Sequence, residues 1–78
     1  MKDALGNTIE IGKSYGFIQS ANGITDITIG TVKKFNDNSV TIQPDSKKRA
    51  VYHDEPKPEK GPFRAVAVKP FILFPTKL

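Results

Sequence analysis

The chain has 78 residues and a net charge of +4, with twelve Lys and Arg against eight Asp and Glu, and it contains no cysteine. That length makes one domain with a small core, and the missing thiols exclude disulfide or thiolate–metal staples, so stability must come from packing, a partner or a second copy. No apolar run approaches the ~18 residues of a membrane helix. Met1-Lys2-Asp3 is followed by Gly6-Asn7 instead of an apolar segment, so no signal peptide and a cytoplasmic location are expected.

Eight Ile, five Val and six Thr stand against three Leu and one Met. Such β-branched side chains lose rotamer freedom in helices and pack well on pleated surfaces, so the chain reads as all-β. In chain order, Gly6-Asn7 predicts a turn, and Ile9 and Ile11 alternate with polar neighbours as a short strand-like lead-in. Residues 14 to 21 follow as a strand with Tyr15, Phe17 and Gln19 on one face. Asn22-Gly23 predicts a type I′ hairpin turn, which needs positive φ at both positions. Ile27 and Ile29 then read as core-facing, and a bulge at Gly30-Thr31 is expected to bring Val32 inward as well. Asn36 to Ser39 is a polar turn. Val40 and Ile42 form a strand that Pro44-Asp45-Ser46 should end, before a brief strand around Ala50-Val51-Tyr52. Residues 54 to 62 hold three prolines and five charges, which predicts an exposed loop. Phe63 to Val68 is the next strand, and Phe71 to Phe74 a last apolar segment between Pro70 and Pro75.

Five clear strands plus short terminal pieces, joined by tight connections, suit a small barrel of five to six strands better than a sandwich, which needs about seven strands and ~100 residues. The expected core is Ile9, Ile11, Phe17 or Ile18, Ile27, Ile29, Val32, Val40, Ile42, Val51, Val66, Val68 and Ile72. Residues 1–78 form a single domain in this reading, with no substantial helix.

Three stretches together resemble the small SH3-like barrels of the KOW type, and short uncharacterised proteins encoded by bacteriophages. They are Asp3-x-x-Gly6-x-x-Ile9-x-Ile11-Gly12, then Asn22-Gly23 with Ile29-Gly30-Thr31-Val32, and Val66-x-Val68-Lys69-Pro70-x-Ile72-Leu73-Phe74-Pro75. The resemblance implies an SH3-like β-barrel and a role in contacting RNA, DNA or a host or phage protein. It carries over no site residue. Type II dihydrofolate reductases share the size and fold, but their active-site strand motif is missing here.

No complete catalytic or metal-binding constellation is present, so neither an enzyme nor a cofactor is expected. His53 is the only histidine, and alternation along a short strand separates Tyr52, His53, Asp54 and Glu55. Pro44-Asp45 with Glu55-Pro56-Lys57 matches a restriction-type nuclease pattern in letters alone. Its chemistry needs the second half on a central strand, which Pro56 and Pro58 forbid.

Charge is unevenly spread. Residues 1–46 carry four basic and five acidic side chains, whereas residues 47–69 carry seven basic and three acidic. Lys47, Lys48, Arg49, Lys57, Lys60 and Arg64 are therefore candidates for phosphate contact, with Tyr52 to stack a base. The opposing expectation is an ordinary solvated surface on which lysines guard strand edges. Phe71 and Phe74, flanked by prolines, are candidates for a protein contact, as is a strand edge. Partners are thus DNA or RNA, or a host or phage protein, without a membrane role. The oligomeric state is open.

Overall fold

The computed structural model describes residues 1–52 and 54–76. Strands β1 (Ser14–Ala21) and β2 (Ile24–Phe35) form an antiparallel hairpin around Asn22-Gly23. Both turn residues have positive φ, 54° and 78°, with Ala21 opposite Ile24, as the I′ reading requires. The Tyr52 ring lies over this turn: a Cβ on Gly23 would sit 3.0 Å from two of its ring carbons.

β3 (Val40–Val51) runs antiparallel to β2. Its outer edge is shared by two short strands. β5 (Val66–Val68) pairs with Val40 to Ile42, and β4 (Lys57–Pro58) with Lys48 and Arg49. A 3₁₀ turn at Pro70–Ile72 then carries the chain to β6 (Phe74–Pro75), which pairs with Tyr15 and Gly16 of β1. The order is β4-β3-β2-β1-β6, with β5 also on β3. The chain is all-β and antiparallel, as its residue types dictate, and among the described residues its sole helical piece is the three-residue 3₁₀ turn.

The sheet stays open, whereas a closed barrel was expected: among the described residues no ladder joins β5 to β6. The two are linked through the 3₁₀ turn instead. Pro75 stands opposite Tyr15, between the bonded positions, so its missing N–H costs this short ladder no hydrogen bond. Lys57–Pro58 adds an edge strand inside the segment expected to be loop. Proline is tolerated on such an edge because its missing N–H can face solvent.

One core cluster is wrapped by the sheet: Ile9, Tyr15, Phe17, Val32, Val40, Ile42, Val68 and Leu73, with Val66 and Ile72 packed against it. Ile11, Ile27 and Ile29, expected in the core, lie elsewhere, and of the alternatives Phe17 and Ile18 it is Phe17 that is buried. Ile11 is 58 % exposed, because the chain turns between Glu10 and Lys13 with Gly12 at positive φ. Ile18, Ile27 and Ile29 occupy the opposite face of the sheet from Phe17 and Thr28. Val51 is only half-buried.

The cause is at Gly30. Thr28, Gly30 and Val32 are all buried, so β2 keeps its phase through the glycine. A Cβ on Gly30 would sit 2.5 Å from Ile42 Cγ2 and 2.6 Å from the Gln43 carbonyl oxygen, so this close approach of β2 to β3 admits no side chain. The extra residue lies on the partner strand: Ile29 pairs with Ser46 and Gly30 with Pro44, leaving Asp45 bulged. Pro44-Asp45-Ser46 therefore bends β3 and does not end it.

The first turn is tied by Asp3, which is buried. Its Oδ1 accepts hydrogen bonds from the N–H groups of Leu5 (2.9 Å) and Asn7 (3.0 Å). Ala4 N–H donates to the Leu73 carbonyl (2.8 Å), fastening this turn to the chain just before β6.

Candidate functional site

Strand alternation divides the basic residues 47–49 between the two faces of the sheet. Lys48 stands opposite Ile27 on the outer face, while Lys47 and Arg49 stand opposite Thr28 and Asp26 on the inner one. Arg49 is engaged within the fold. Its Nε and Nη2 donate to the two Asp26 oxygens at 2.7 and 3.2 Å, and Nε lies 3.0 Å from Glu59 Oε1. The hydrogen bond from Arg49 holds the Asp26 carboxyl below its usual range, against a smaller opposing effect of burial. The charges of Arg49 and Lys47 add to the lowering.

Lys47, Lys48, Lys57, Lys60 and Arg64 make no ion pair among the described residues. Lys47 and Lys48 border a groove of about 570 Å³ beside the β3 bulge, with Pro58, Pro62 and Phe63. Asp45 and Glu59 line the same groove, so its nearest charges balance. Lys57 lies on β4, outside the groove lining, as do Lys60 and Arg64 in the following segment. Tyr52 is 74 % exposed but belongs to the hairpin turn. Its N–H donates to the Gly23 carbonyl (2.8 Å), and its φ is +53°.

The residues of the nuclease-like pattern stay apart in role. Asp45 accepts a hydrogen bond from Thr31 Oγ1 (3.0 Å), Glu55 lies on the outer face, and Lys57 is on the β4 edge. Among the described residues no three His, Cys, Asp or Glu side chains converge as metal ligands. His53 lies outside the described residues.

The outer face is the other notable surface. Cross-strand pairing sets Phe74, Gly16, Ile29 and Ser46 in one row, and Ile18, Ile27, Lys48 and Pro58 in the next. Ile18 and Phe74 are 58 % and 47 % exposed, and Gly16 leaves Ile29 and Thr76 as the nearest side chains above it. Glu55 and Pro56 lean over this face, closing a groove of about 390 Å³ with Ile27, Ile29, Ser46 and Lys48. Phe71 is 65 % exposed on the 3₁₀ turn. Sequence alternation alone missed this face, because it placed Ile27 and Ile29 in the core. The available signal was the pairing of Phe17 with Thr28 that a two-residue turn dictates.

A family model described as a domain of unknown function, DUF7205, matches residues 1–62, from the first turn through β4. The chain belongs to the DUF7205 family. No curated protein and no solved structure matches it. In this DUF7205 chain the matched span contains the whole outer-face groove and all of β1, β2 and β3. The core residues Val68 and Leu73, and the exposed Phe71 and Phe74, follow it.

Among the described residues no helix is long and apolar enough to cross a membrane.

Proposed function

We propose that this chain is a non-catalytic protein-binding module of the phage-accessory type, acting in the cytoplasm, whose contact surface is the outer face of β6, β1, β2 and β3. The observation that carries this is the two adjoining rows of apolar side chains, Phe74 and Ile29 in one and Ile18 and the half-buried Ile27 in the next, beside a formed groove. Contiguous apolar surface on a small domain costs solubility and aggregation resistance, so it signals contact. The groove volume suits an aliphatic or aromatic side chain of a partner, with Lys48 and Glu55 at its rim.

The test is capture of a binding protein from nuclease-treated lysate. Ile29→Lys and Phe74→Ser should abolish capture while leaving the circular dichroism spectrum unchanged. Capture that survives both substitutions removes this face from consideration.

A second reading has its own observation: the cations Lys47, Lys48, Lys57, Lys60 and Arg64 near the β3–β4 edge, which make no ion pair among the described residues. It takes DNA or RNA as partner. Titration of fluorescent single- and double-stranded nucleic acid at two salt concentrations decides it, since phosphate contact weakens steeply with salt.

A further inference from the structure

The segment from Glu55 to Glu59 passes from one side of the sheet to the other around the β3 edge. Glu55 and Pro56 wall the outer-face groove over Ile27 and Ile29, whereas Glu59 reaches Arg49 on the inner side. Between them lies the edge strand β4, Lys57–Pro58, opposite Arg49 and Lys48. Pro58 and Glu59 also wall the groove beside the β3 bulge, and Ser46 and Lys48 line both grooves. One short strap therefore bounds both grooves along this edge.

Few bonds hold the strap. Pro56 and Pro58 have no N–H, so residues 55–58 can offer only the N–H groups of Glu55 and Lys57. Among the described residues that of Glu55 meets no main-chain acceptor. Glu59 N–H donates to the Lys47 carbonyl (2.9 Å), so in the antiparallel pattern Lys57 is the bonded partner of Arg49, and Pro58 opposite Lys48 is not. The strap thus hangs on two main-chain positions, Lys57 and Glu59, and on one side-chain tie, Glu59 Oε1 at 3.0 Å from Arg49 Nε. The chain on either side is anchored independently: Asp54 N–H donates to the Val51 carbonyl (3.1 Å), and Gln43 Nε2 to the Phe63 carbonyl (2.9 Å). A segment with so few bonds and no buried side chain opens at lower free energy than the strands beneath it.

We infer that the 55–59 strap is a movable wall of the outer-face groove, and that Arg49 latches it from the opposite face of the sheet. Arg49 is itself held by Asp26, whose two oxygens accept its Nε and Nη2 hydrogen bonds. With the latch closed, Glu55 and Pro56 stand over Ile27 and Ile29. When it opens, the strap swings between its anchors at Val51 and Gln43, and the apolar floor of Ile27 and Ile29 is laid bare for a broader contact. Arg49 is a positioning residue here, since it does not line the groove and acts through Glu59. Use of the opening to admit a partner rests on the protein-contact reading, whereas the opening itself is measurable on the chain alone.

Hydrogen exchange of the Lys57 amide, corrected for intrinsic sequence effects, tests it, with methyl-proton relaxation by a soluble neutral gadolinium chelate as a second readout. Glu59→Gln keeps the shape of the side chain and removes its charge. It should speed Lys57 exchange about two- to fivefold, the range an exposed ion pair allows, while the buried Val32 amide keeps its rate. Raising the salt to about 1 M, where the screening length falls to ~3 Å, should bring the unsubstituted chain up to the rate of Glu59→Gln. Gadolinium relaxation of the Ile27 and Ile29 methyls should rise in Glu59→Gln, and that of the buried Val40 and Val68 methyls should not. Equal Lys57 rates in the two chains, or a Val32 amide that speeds up in step, overturn the latch. Faster Lys57 exchange with unchanged Ile27 and Ile29 relaxation overturns the movable wall. Capture of a protein that survives Ile29→Lys removes the protein-contact reading and leaves the latch standing.

Discussion

At Gly30 a single missing side chain decides which face of β2 enters the core. The β3 backbone and the Ile42 methyl occupy the space a Cβ would need, and the Gln43 carbonyl cannot rotate away as a flexible side chain can. Gly30→Ala should therefore destabilise the fold by about 1–3 kcal/mol, the usual range for overpacking, read as a lowered urea midpoint. A midpoint equal to that of the unsubstituted chain would show that β2 and β3 separate without penalty. The Arg49–Asp26 pair makes a different residue-scale prediction. Asp26 has a lowered pKa when folded, so its contribution is fully present above the unfolded value of about 3.9 and is lost as pH falls through the lower folded value. Solvent screens this exposed pair, so the effect is small. Comparing melting temperature against pH for the unsubstituted chain and Asp26→Asn should show the difference between them shrinking below about pH 4.

The elements themselves were largely legible in the sequence, and the phase of their faces was not. Asn22-Gly23 announces its turn because few dipeptides accept positive φ twice. From that turn, pairing of Ala21 with Ile24 puts Phe17 across from Thr28, a polar residue that is buried while its isoleucine neighbours face outward. Counting isoleucines as core inverts the face. The Pro44-Asp45-Ser46 bulge was read as a strand end for a related reason, since proline and aspartate usually stop strands. Here the long β2 holds both halves of β3 in register around one extra residue. The basic run 47–49 looked like a patch because it is contiguous, yet a strand turns adjacent residues to opposite sides. β5 and β6 are so short that their value lies in the core residues they carry. Of the last apolar segment Ile72 was the expected core residue, but it is half-buried, and Leu73 beside it has no exposed surface. Leu73→Ala should cost about 2–5 kcal/mol in a chemical denaturation experiment, and a loss under about 1 kcal/mol would contradict its place in the core.

On the scale of the whole molecule, a core of eight buried hydrophobic residues leaves many apolar side chains on the surface. Those on the outer face are ordered by the sheet into rows, whereas the cations are dispersed around it or, in the case of Arg49, engaged internally. That contrast is the ground on which we propose protein contact over phosphate contact. The measurement that separates the two most directly is a parallel capture from nuclease-treated lysate with Ile29→Lys and with the double substitution Lys47→Glu, Lys57→Glu, neither of which lines the outer-face groove. Loss of the captured protein with Ile29→Lys and its retention with the double substitution is the predicted result. Retention with Ile29→Lys and loss with the double substitution would contradict it and assign the contact to the basic edge.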